Sequence, residues 1–224
     1  MEQKVAPRTW FTPRQAQFLE VVAQEKHLAA SFYLTGGTAL AAVYYNHRYS
    51  EDLDLFSPQE FSSRDILHLL FRTQKQLKWR HIRRRPEGGS DMYTLIWPNK
   101  STLKLDFMFY YPPLFKGKKI LGINIDSLKD IAINKLETII VRNKLRDYID
   151  LYTILNREEF TFKQVINWHR RKTQFEAEPL VIAKALLKVN QAQDLPRMKV
   201  PLSRPKMIRF FERLADDLKP EIFT

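Results

Sequence analysis

The hydrophobic pattern of this chain changes period near residue 126, and that change limits the folds open to it. Upstream, segments such as residues 51–56 (EDLDLF) and 103–110 (LKLDFMFY) alternate polar and apolar positions, as half-buried strands do. Downstream, the stretch beginning at residue 127 (SLKDIAINKLETIIVR) repeats its apolar residues every three to four positions, as a helix does. The chain is therefore predicted to be α+β, with a mixed sheet and flanking helices over 1–126 and a helical bundle over 127–224.

In the first half, residues 13–29 carry helical spacing through Phe18, Leu19, Val22 and Ala23. SFYLTGGTAL reads as a strand, a glycine turn and a helix that Thr38 caps and that runs to about Tyr45. A further helix is expected over 63–76, and strands over 78–84, 91–97 and 103–110, with the turn formers at 86–89 between the first two. In the second half, helices are expected from residue 127, with Asp126 or Ser127 as cap, and over 146–156, 161–173, 178–191 and 205–218.

Composition removes several function classes. With no cysteine, disulfides, thiolate metal sites and cysteine nucleophiles are excluded, and a cytoplasmic location is expected. No apolar run approaches the roughly 20 residues that span a bilayer, and MEQKVAPRTW has no hydrophobic run of a secretory signal. The excess of 37 Lys+Arg over 25 Asp+Glu, a formal net charge of +12, favours a polyanionic partner.

The acids on the strands carry the chemistry. Asp52 and Asp54 are two residues apart and share one face, while Leu53 and Leu55 point into the core. Asp106 is a lone acid on a very apolar strand, on the face opposite Leu103, Leu105 and Phe107. If those strands are neighbours, the three carboxylates converge, and a hard divalent cation relieves their repulsion. A pair of acids alone is also what a solvated strand edge carries. The upstream Gly36-Gly37 turn separates the two readings, because amides at such a turn, with the Thr38 hydroxyl, can cradle phosphate. In the long helix that follows residue 127, Lys135 and Arg142 fall within the apolar stripe of Leu128, Ile131, Ala132, Leu136 and Ile139. Each must snorkel or meet a cleft, an acid or an anionic ligand. Asp147 is placed to pair with either cation, and Tyr148 and Tyr152 read as core.

LTGGTAL followed by HRYSEDLDLF resembles the first motif of polymerase β-type nucleotidyltransferases and, more narrowly, of the AbiEii/AbiGii abortive-infection toxin family. Arg48, Ser50, Asp52 and Asp54 fall on that motif's positions. LKLDF is similar to the family's third-carboxylate strand, and DIAINKLETIIVRNKLRDYIDLYTIL to its lysine helix and following Arg-Asp-x-x-Asp-Leu. The resemblance implies Mg2+ (or Mn2+) on Asp52, Asp54 and Asp106, an NTP substrate, and active-site roles for Lys135 and Asp147. Gly36, Gly37, Thr38, Lys135 and Arg142 are expected to bind nucleotide, and Arg48 or Ser50 to orient the triphosphate or the strand. It further implies an acceptor hydroxyl at the 3′ end of tRNA and a cognate antitoxin encoded alongside. The basic runs at 78–85 and 197–213 are candidate surfaces for an RNA acceptor. Two rivals remain open on sequence grounds: an enzyme of this fold that nucleotidylates protein hydroxyls, and a non-catalytic nucleotide- or nucleic-acid-binding module. A hydrolase fits less well, since the five histidines lack metal-site spacing.

Overall fold

The computed structural model describes residues 11–87 and 89–223. The expectations placed on residues 1–10 and on Gly88 lie outside them. The chain divides into two compact units, one running to Asn46 and resuming over Ser50–Ser127, the other made of His47–Tyr49 and the chain from Leu128 onward.

The first unit opens with α1 (Pro13–Gln24), whose start is fixed by a capping box in which Thr12 and Gln15 bond each other's backbone amides at 3.3 and 2.9 Å. Its buried stripe is Phe18, Leu19 and Val22. The single helix expected over 13–29 is two. Glu25 leaves the helical region at ψ 78°, and α2 (Lys26–Ser31) begins beyond it. After β1 (Tyr33–Thr35) comes the short α3 (Gly36–Thr38), continued by a π-helical stretch over Ala39–Tyr45. Asn46 ends that stretch in the left-handed region, its amide donating to the Ala41 carbonyl.

The remaining elements are β2 (Leu53–Ser57), α4 (Ser63–Leu77), β3 (His81–Glu87), β4 (Ser90–Ile96), β5 (Thr102–Phe109), β6 (Lys118–Ile120) and β7 (Ile123–Ile125). All seven strands form one sheet in the order β3-β4-β5-β2-β1-β7-β6. It is mixed, as expected: β2 runs parallel to β5 and β1 to β7, and the other pairs are antiparallel. The first strand of the β3–β4 hairpin begins three residues later than expected, so Pro86 and Glu87 belong to β3 rather than to a turn.

Alternation decides the sheet's two faces. Leu53, Leu55, Tyr93, Leu95, Leu103, Leu105 and Phe107 are each at most 2% exposed and form its core face, and Phe32 packs edge-on against Phe107. Burying each such aliphatic side chain stabilises by about 1.5–3 kcal/mol, which pins the register, because a one-residue slip exposes the whole set. The intervening residues are half-buried or exposed, and Asp54, Lys104 and Asp106 are among them.

The second unit is helical: α5 (Leu128–Val141), α6 (Leu145–Leu155), α7 (Phe162–Thr173), α8 (Pro179–Leu187) with a 3-10 turn over Lys188–Asn190, α9 (Arg204–Asp216) and α10 (Lys219–Ile222). Helix α5 is buried on most of its sides, including polar positions. Lys172 of α7 reaches it with an ammonium 3.0 Å from both Asp130 Oδ1 and Asn134 Oδ1. Tyr148 is core, edge-on to Phe211, with its hydroxyl donating to the Ala185 carbonyl. His47–Tyr49 pairs as an extended segment with residues 197–199, through Tyr49 N to Arg197 O at 2.9 Å and Lys199 N to His47 O at 3.0 Å. Among the described residues, no helix is long and apolar enough to cross a membrane.

Candidate active site

The two acid-bearing strands are neighbours. β2 and β5 lie parallel with Asp54 opposite Asp106, so both carboxylates leave the same face of the sheet from adjacent strands about 4.8 Å apart. Both are half-buried. The Ser90 hydroxyl, two strands from Asp54, donates to Asp106 Oδ1 and fixes that carboxyl's rotation. Asp52 stands just ahead of β2, its Oδ1 3.8 Å from the Lys104 ammonium. Side-chain exposure is 66% for Lys104 and 36% for Asp52, and an exposed pair of this length is worth about 0–1 kcal/mol. Asp52 therefore turns away from Lys104 at little cost.

Among the described residues, no three His, Asp or Glu side chains stand grouped to hold a metal ion. Two of the three expected acids are side by side, and the third faces a lysine. The donor set is nonetheless chemically suited to a hard divalent cation: two carboxylates on one half-open face, with a third acid, Asp52, held elsewhere by an exposed lysine.

The glycine turn comes close to this pair. Gly36 has φ +67°, and a Cβ placed on it falls 2.0 Å from Asp54 Oδ2, so only glycine lets the turn approach the carboxylate. Thr38 does not cap the helix as expected. It is already helical, at φ −74° and ψ −41°, and its hydroxyl donates to the Asp52 carbonyl, tying the turn to the entry of β2. Gly37 and Thr38 are buried. The Ser50 carbonyl accepts from Gln15 Nε2 at 3.0 Å, which anchors the same entry from α1. Gly36→Ala is expected to cost about 1–3 kcal/mol from the positive φ alone and to push Asp54 aside, measured by urea unfolding.

The remaining expected site residues lie in the second unit and form a closed charge network. Lys135 bonds Asp147 Oδ1 at 2.8 Å and Asp150 Oδ2 at 2.7 Å. Arg48 grips Asp150 with Nε and Nη2, both at 2.7 Å, while His47 Nε2 lies 2.9 Å from the same carboxylate. Arg142, half-exposed just past the end of α5, meets Asp147 at 3.0 Å. Burial alone would lower the Lys135 pKa, but Asp147 and Asp150 outweigh it and hold it above the usual lysine value. Burial alone would raise both acids. Lys135 and Arg142 hold Asp147 below the carboxylate range, and Lys135, Arg48 and His47 hold Asp150 well below it. Lys135, Asp147 and Asp150 are thus held in their charged forms, and the Lys135 side chain, 6% exposed, directs two of its three donors at acids.

That ionisation sets a pH window. The two depressed acids contribute stability in full above about pH 4, and lose it as pH falls toward their folded values. Lys135, raised, contributes in full below about pH 10 and loses it only as pH climbs through its folded value. Thermal unfolding followed by helical circular dichroism is expected to show a plateau between these limits and a drop on each side.

Sequence reasoning left Asp150 aside and assigned nothing to His47. Asp150 had one visible signal, a spacing of three from Asp147 that puts both on one helical face. The pairing of Asp150 with Arg48, 102 residues away, leaves no local trace.

A family model described as "Nucleotidyl transferase AbiEii toxin, Type IV TA system" matches residues 17–221. An uncharacterised protein of Aquifex aeolicus (strain VF5) is 29% identical over 168 residues, covering 73% of this chain and 76% of that protein. The crystal structure of JHP933 from Helicobacter pylori superposes with a TM-score of 0.57 at 20% identity, over 92% of this chain and 93% of that one. A second Helicobacter pylori crystal structure does so with the same TM-score at 21% identity, over 94% and 97%. At such identities the likeness speaks for the fold.

Proposed function

The chain belongs to the AbiEii nucleotidyltransferase toxin family, and from that premise we propose that it transfers an NMP from an NTP to the 3′-terminal hydroxyl of an RNA, with tRNA as acceptor. The observation that supports this reading most is the in-register Asp54–Asp106 pair beneath a glycine turn that tolerates no side chain.

Asp54 and Asp106 would hold Mg2+ or Mn2+, joined by Asp52 once it leaves Lys104. A metal held there supplies Lewis-acid stabilisation of charge on the attacking and departing oxygens. The acceptor hydroxyl attacks the α-phosphorus in line. A new O–P bond forms as the bond to the bridging oxygen breaks, pyrophosphate leaves, and the hydroxyl proton passes toward Asp106. Ser90 keeps that carboxyl aimed during the step. The amides of Gly36 and Gly37 donate to the triphosphate oxygens at the start of a helical segment.

Lys135, Asp147, Arg48 and Asp150 enter as positioning residues. Lys135 and Arg48 are already committed to acids, and breaking such buried pairs to meet phosphate costs several kcal/mol. Arg142, with half its side chain exposed, is the cation of this network that can turn from Asp147 to an anionic ligand at least cost. The protein acts in the cytoplasm, held in check by an antitoxin partner as the family's description suggests.

The test is incubation of the purified protein with each of the four α-labelled NTPs, Mg2+, total tRNA and cell lysate. Label in tRNA with one preferred nucleotide is expected. Label confined to protein bands, or none in any fraction, overturns the reading.

A further inference from the structure

The run Arg83-Arg84-Arg85 splits between the two faces of the sheet. Arg84 lies opposite the buried Tyr93 and turns to the core side, where it bonds Asp91 at 2.6 Å and the Ser63 hydroxyl of α4 at 2.8 Å. Its neighbours face the other way. Arg85 is opposite Met92, which is opposite Asp106, which is opposite Asp54, so one row across four strands leads from an arginine to both acids. The next row runs from Arg83 through Thr94 to Lys104, whose ammonium meets Asp52. Arg83, Arg85 and Lys104 are all exposed.

We propose that Arg83, Arg85 and Lys104 form the track on which the single-stranded end of the acceptor RNA is laid before its terminal hydroxyl reaches Asp106. The inference rests on the RNA-directed reading given above and names the surface that serves it. The spacing suits a strand. Arg85 lies two strand spacings, roughly 10 Å, from Asp106, and Arg83 one further pleat repeat, about 6.7 Å, along the hairpin. Between Arg85 and Asp106 the half-exposed Met92 offers apolar surface to bases, and the half-exposed Ile96 continues that face one row beyond Arg83. The arginine planes supply phosphate contacts with sequence-independent affinity. A protein acceptor finds no comparable reason in alternate arginines on the acid-bearing face.

Binding is read with a fluorescein-labelled 12-nucleotide single-stranded RNA by anisotropy at several salt concentrations. Arg83→Gln/Arg85→Gln is expected to weaken binding at least tenfold at low salt and to reduce the slope of log K against log salt by about 1.4, that is, about 0.7 per lost contact. Arg83→Lys/Arg85→Lys restores most of both. Arg64→Gln/Lys75→Gln removes two exposed cations from α4 and leaves both unchanged. An unchanged affinity and slope in the glutamine variant overturns the track. Should that variant fail to fold, ultraviolet cross-linking of the wild-type protein to a 4-thiouridine RNA decides. Cross-links within residues 81–104 support the track, and cross-links confined to the helical unit overturn it. Wild-type protein that labels no RNA yet cross-links at 81–104 refutes the proposed reaction and leaves the track standing.

Discussion

Asp54→Asn is expected to lower nucleotidyl transfer by at least about a thousandfold while leaving the fold intact. The carboxylate sits at the centre of the site, in register with Asp106 and against the Gly36 backbone. Asparagine keeps the size but removes the charge that would hold the proposed divalent cation, and a metal's stabilisation of transition-state charge is worth several kcal/mol, about tenfold per 1.4 kcal/mol. Stability moves the other way, if at all, because neutralising one of two adjacent acids relieves their repulsion. Label transfer and urea unfolding on the same preparation check both. A variant with wild-type transfer would show that Asp54 serves the sheet and not the chemistry.

The largest effect on stability is expected from Asp150→Asn, which should cost about 3–5 kcal/mol. Asp150 is fully buried and answers Arg48, Lys135 and His47 together. Asparagine leaves the buried Arg48 with an amide oxygen in place of a carboxylate and Lys135 with Asp147 alone, and burying an uncompensated charge is among the costliest changes a core undergoes. Urea unfolding followed by circular dichroism measures it. Asp147→Asn should cost less, because Arg142 is half-exposed and can turn to water. Equal costs for the two variants would contradict this account of the network.

Much of the acid-bearing face was legible in sequence because strand periodicity acts on every residue at once. The alternation in EDLDLF and LKLDFMFY requires the leucines on one side and the acids on the other, whatever the neighbours are. That the two strands lie side by side, with Asp54 opposite Asp106, was only a condition in the sequence. β6 and β7 were missed because three-residue strands carry no measurable period. The break at Glu25 was missed because the apolar spacing of α1 runs on into α2 unchanged. Lys135 illustrates a different limit. Its place in an apolar stripe announced a cation in need of a partner, but an acid and a phosphate satisfy that need equally well. Only the fold shows that Asp147 and Asp150 fill it.

The excursion of His47–Tyr49 bears on how this protein can be cut and how it is inherited. The linear boundary after Ser127 looks like a seam for making two expression fragments. A fragment ending there, however, carries off Arg48 and His47 and leaves Asp150 of the helical piece with Lys135, which it must share with Asp147. The fourteen residues separating the glycine turn from the first acid thus cross into the helical unit over His47–Tyr49 and return. Grafting the helical half onto another enzyme's sheet should fail unless that three-residue stitch travels with it.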